Sequence, residues 1–245
     1  GNADKEVLQT LLIKEQEPEV RQKIISVLCR QDPACLDSVA QDITSLDPAT
    51  KKTVIISLLN QQEFNYLFKA GSEINNLINS ASTEEKLLAI SIIIELKHVQ
   101  FTNAISSLIN DSEVAVKRSA VMAACKLKIS SLLPLILDLA DHPVDKYLVI
   151  KALHQYGDQL FKDIRLLPDE TLRHHTADLI KIAAVVKGAN CKQFLLSGIQ
   201  KLSSHTSKTI HALWIQDYTP PAVKETATLN MLLNSYLKIG IVKIS

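Results

Sequence analysis

Six times between residues 24 and 180 the chain repeats one small apolar pattern, with side chains at i, i+1 and i+4. The copies are Ile24, Ile25 and Leu28; Val54, Ile55 and Leu58; Ala89, Ile90 and Ile93; Ala120, Val121 and Ala124; Val149, Ile150 and Leu153; and Thr176, Ala177 and Ile180. This spacing puts three side chains on one helical face. Successive triads start 27 to 35 residues apart, which is room for two short helices and their turns. A unit of that size cannot bury its apolar face alone, so neighbouring units must stack. A weaker seventh copy runs through Thr209, Ile210 and Leu213.

Three residues before every triad stands a basic side chain: Arg21, Lys51, Lys86, Lys117, Lys146 and Arg173. With 27 Lys and Arg among 245 residues, six hits at one fixed offset fix the register. Acidic residues gather just upstream, including Glu17 and Glu19, Asp47, Glu84 and Glu85, Asp111 and Glu113, Asp141 and Asp145, and Asp169 and Glu170. There a carboxylate caps free backbone N–H groups and meets the positive end of the helix dipole. The first helix of each pair is expected over 33–43, 62–79, 101–110, 131–140 and 157–164, where apolar residues also recur at three and four. Pro134 and Pro143 sit where a helix start tolerates a missing N–H. After the break at Tyr218 to Pro221, residues 222–239 read as one long helix closed by Gly240, a cap over the last repeat.

The expected fold is therefore all-α: an α-α superhelix of about six to seven helix pairs in one domain over 1–245, with repeats over about 5–215 and a capping helix over about 220–240. Leu, Ile, Ala and Val supply the core, since aromatic residues make up only 4% of the chain. A formal net charge of +1 gives no global field toward nucleic acid or an anionic membrane. Cys29, Cys35, Cys125 and Cys191 lack the paired spacings of zinc or redox motifs and read as buried thiols of a reducing, cytoplasmic compartment. The most apolar run, Leu87 to Leu96, is interrupted by Ser91 and Glu95 and is too short to span a bilayer. The start at Gly1-Asn2-Ala3, without Met or a signal segment, reads as a cut piece of a longer protein.

The stretch from Asp111 to Leu127, DSEVAVKRSAVMAACKL, resembles the second helix of a HEAT repeat, with its Asp, its Val-Lys-Arg and its spaced alanines. Glu17-Pro18-Glu19-Val20-Arg21 resembles the opening of such a helix, and Ala152-Leu153 with Tyr156-Gly157 its end. The resemblance implies an armadillo-like α-solenoid and leaves the partner open. The array, the Ala212-Leu213-Trp214 stretch and the closing helix together also resemble the soluble helical region of bacterial ADP/ATP-translocase-like membrane proteins. That resemblance implies a transporter domain elsewhere in the parent chain.

The basic ladder from Arg21 to Arg173 is the only patterned polar feature. Its structural role is to bond acidic residues or carbonyls of adjacent repeats; its functional role is a stripe that binds an acidic or phosphate-bearing partner. Trp214 and Tyr218 offer either an aromatic anchor for a partner or packing under the terminal helix. His174 and His175 point about 100° apart on a helix, so they are expected to be solvated rather than to share an ion. No phosphate loop, nucleophile elbow, zinc motif or calcium motif occurs, so neither catalytic residues, a metal nor a cofactor is expected. The expected function is a non-enzymatic scaffold that binds a protein or a neighbouring domain of its parent. The alternative is nucleic-acid binding or DNA repair on a HEAT-like array, which the neutral charge and single Trp disfavour.

Overall fold

A computed structural model of the chain describes residues 7, 8, 10, 11, 15, 17–31, 43–61, 63–97 and 101–201, with backbone alone at a few positions. Eleven α-helices and three short 3₁₀ turns make up this part, and no strand occurs among the described residues. They fall into two compact units that meet within one helix, between Ala123 and Ala124.

The first unit holds α1 (Pro18–Gln31), α2 (Pro48–Asn60), α3 (Phe64–Ile78), α4 (Thr83–Leu96), α5 (Thr102–Ile109) and most of α6 (Val114–Lys126). Local chemistry sets their ends. Asp47 caps α2 by accepting the Thr50 N–H at 3.1 Å, and Pro48 follows at the position where no N–H is needed. Glu84 and Glu85 fill the first turn of α4, which stops at Lys97 in the left-handed region with φ 54°. α2 packs against α1 and α4, so triad helices lie side by side, while α3 lies against both α2 and α4. Val54, Ile55, Leu58, Ile74, Leu77 and Ala89 form the centre of a continuous aliphatic core there.

The second unit holds the end of α6, then α7 (Leu133–Leu139), α8 (Pro143–Tyr156), α9 (Gln159–Asp163), α10 (Asp169–Val185) and α11 (Ala189–Lys201). Its triad helices α8 and α10 again touch, with α7 against α8 and α9 against α11. Gly157 ends α8 at φ 74°, a conformation that side chains resist. Asp158 then reaches α11, accepting the Cys191 N–H at 2.8 Å and the Asn190 side-chain N–H at 2.8 Å. A Cβ on Gly188 would collide with that carboxylate.

Sixteen of the eighteen triad residues are buried; Ile150 and Ala177 are half-buried. The intervening helices fall where periodicity places them, except that the segment over 33–43 lies almost wholly outside the described residues. Outside them also lie the seventh copy, the capping helix, Trp214, Tyr218 and Cys35, together with the Cys29 side chain. Cys125 and Cys191 are buried free thiols, and burial pushes the Cys125 thiol up to about 12. No helix among the described residues is long and apolar enough to cross a membrane.

Candidate interaction groove and charged clusters

At about 100° per residue, the position three before a triad projects at about 60°, between the directions of the triad side chains at about 0°, 40° and 100°. Ladder cations thus sit on the buried stripe of their helices and need partners. Lys51 is buried and pairs with Glu73 of α3 at 3.5 Å, with 8% of each side chain exposed. Lys86 donates to Asp111, at the head of α6, at 2.7 Å. Lys146 of α8 pairs with Asp178 of α10 at 2.7 Å. Arg21 faces Asp47: burial pushes that carboxyl up, but hydrogen bonds from Thr50 and Ala49 and the Arg21 charge outweigh it and hold it below the ordinary range. Lys117 is half-buried and Arg173 exposed.

Asp111 is also held below its ordinary value, first by the Lys86 bond and then by the Glu113 N–H. Asp178 is lowered too, although burial works the other way, because Lys146 and Lys181 both bond it. Side-chain contacts between successive helix pairs recur at separations close to the triad spacing. Lys86 to Asp111, Arg165 to Gln193, Asp158 to Asn190 and Asp141 to His174 span 25, 28, 32 and 33 residues, which is about one repeat.

On the opposite face of the triad helices of the first unit lies a groove of about 730 Å³. Lys23, Ser26 and Val27 of α1, Lys52, Ile56, Ser57 and Asn60 of α2, and Glu95 of α4 line it. Lys52 and Glu95 join α2 to α4 across it at 2.8 Å. The wall therefore offers both charges, amides, hydroxyls and a few aliphatic surfaces. Sequence reading passed over these residues, yet the register carried the signal: they occupy the offsets that point away from the triad. A separate, apolar feature lies on α3, where Phe64 and Phe68 are 79% and 72% exposed and their rings stack 6.5 Å apart.

In the second unit, Asp141 stands in the turn between α7 and α8 and meets the first part of α10. Its Oδ1 lies 2.8 Å from His174 Nε2 and 3.9 Å from His175 Nδ1. His174 is exposed and His175 buried, and their rings meet edge to face with centroids 4.7 Å apart. The expectation that both histidines are solvated and point apart therefore fails for His175, which is buried, and for the rings, which meet. They converge on one carboxylate, because one presents its far nitrogen and the other its near nitrogen. Burial pushes the His175 imidazole below its ordinary value, against the pull of Asp141, Asp138 and Asp178. Asp141 had a sequence signal only as a helix-start acid; its partnership with His174 becomes visible only once repeats are stacked.

Comparison with protein-family models, with curated proteins and with solved structures finds no match for this chain.

Proposed function

We propose that this chain is a non-enzymatic, HEAT-type α-solenoid module that binds a segment of another protein, or of a neighbouring domain of its own parent, in the groove over α1, α2 and α4. The observation that carries the reading is the groove itself, built from equivalent offsets of stacked triad helices and lined by Lys23, Lys52, Asn60 and Glu95. Contacts at a separation of about one repeat support the stacked-repeat architecture. A mixed-charge wall with amides and hydroxyls suits the backbone and polar side chains of a peptide better than the uniform negative charge of a nucleic acid. On the resemblance to translocase-like proteins, the parent carries a transporter domain and this module works on its cytoplasmic side.

A library of displayed peptides selected against the full chain tests this. Peptides should be enriched whose binding weakens by about tenfold or more in Ser57→Trp, which fills the groove, and in Lys52→Glu, which breaks the Lys52–Glu95 pair. Binding indifferent to both changes, or no enrichment, overturns the reading. Salt-sensitive retention of DNA or RNA at low ionic strength would establish the nucleic-acid alternative instead.

A further inference from the structure

Lys51, Lys86 and Lys146 of the ladder carry acidic partners that neutralise them, but the cluster at the head of α10 has the opposite make-up, with nitrogen and oxygen electron-pair donors in excess of cations. Asp141 Oδ1, His174 Nε2 and His175 Nδ1 all lie within 4.8 Å of one another. We propose that Asp141, His174 and His175 bind a divalent first-row transition-metal ion of the zinc class, with its remaining positions open to water. The inference is independent of the groove and stands on different residues.

The distances fit such an ion after small side-chain movements. Ligands about 2.1 Å from a tetrahedral zinc lie about 3.4 Å apart. The observed separations from Asp141 of 2.8 Å and 3.9 Å bracket that value. His174 and Asp141 have half or more of their side chains exposed and are free to adjust, whereas His175 is 4% exposed and fixed by its surroundings. One anchored ligand and two adjustable ones make a site that closes on an ion without disturbing the core.

The donor set selects the metal. Two imidazoles and one carboxylate suit zinc, cobalt, nickel or iron, whereas magnesium and calcium require oxygen ligands. Asp138 and Asp178 bring further negative charge toward His175, and Lys146 and Lys181 balance that of Asp178. The bound ion would tie the turn before α8 to α10, one repeat further on, and so act as a staple between stacked repeats.

Calorimetric titration of the full chain with Zn²⁺, and visible absorption of Co²⁺ bound to it, test the site. One ion per chain should bind with an affinity on the order of micromolar. Zn²⁺ should raise the unfolding temperature and Mg²⁺ should not. His174→Ala and Asp141→Asn change exposed residues and so keep the fold, which circular dichroism checks; each should weaken binding more than about tenfold. Gln155→Ala, an uncharged exposed position on α8 without a ligand atom at the site, should leave it unchanged. Absence of saturable binding at millimolar Zn²⁺, or a one-to-one site that persists in both ligand variants, overturns the proposal.

Discussion

In the unit that ends at Ala123 the second residues of the triads, Ile25, Ile55, Ile90 and Val121, are all buried. In the unit that follows, the equivalent Ile150 and Ala177 are half-buried. The second unit makes up the difference with bulkier side chains: Tyr156 and Phe161 are its largest fully buried groups. The Tyr156 hydroxyl donates to Asp163 at 2.6 Å, and Phe161 packs on Phe194 with centroids 5.1 Å apart. One register thus sets direction in both units, but it does not set depth. Depth depends on what the neighbouring helices bring, and α9, with only five residues, brings less aliphatic surface than α3 with fifteen.

The sharpest way to break this comparison is a charge at the same offset in each unit. Ile55→Asp places a carboxylate in a site with no exposure and should cost about 4 kcal/mol or more, enough to unfold the first unit. Ile150→Asp has solvent within reach and should cost less than about 2 kcal/mol. Urea denaturation measures both. Equal losses would mean that the triad offsets are equivalent after all.

The ladder gives a second pair with a smaller effect. Lys51→Ala strands Glu73 in a site where 8% of its side chain is exposed, and should cost about 3 kcal/mol. The double change Lys51→Met with Glu73→Leu should restore most of it, since a buried pair replaced by apolar groups loses little. Lys146→Ala, with 43% of the lysine side chain exposed, should cost less than about 1 kcal/mol. A Lys51→Ala protein as stable as the parent would show that the buried pair has no structural weight.

The helices were legible because their signals are local: triad spacing, Pro134 and Pro143 at helix starts, and acids in first turns. The ladder was legible as a pattern, and a helical wheel already puts its bases on the buried stripe. The groove was less so, because Ser26, Ser57 and Asn60 are ordinary surface residues until three helices stand side by side. The histidine cluster was the least legible. Two adjacent histidines look divergent on their own helix, and the carboxylate that joins them lies 33 residues earlier, on a turn that the repeat folds back beside α10.

That cluster also supplies the smallest and most selective difference between the units, a response to mild acid. His175 is buried with its pKa below the ordinary 6.5, so between these two values the unfolded chain binds a proton that the folded one refuses. Stability therefore falls as pH drops below 6.5, by at most about 1.4 kcal/mol per pH unit for one group. In the first unit Asp111 has its pKa lowered from 3.8, so its contribution is fully present above that value and is lost only as pH falls below it. Asp178 in the second unit follows the same acidic window, and Asp138, Asp141 and His174 reduce or enlarge the His175 effect without reversing its direction. Amide hydrogen exchange at pH 7 and pH 5, corrected for intrinsic rates and run with a chelator to exclude metal, should show protection falling in α10 while α2 holds. His175→Gln should flatten the α10 response. Parallel loss in both helices, or a response that survives His175→Gln, would mean that the acid sensitivity arises elsewhere and that the two units differ in packing alone.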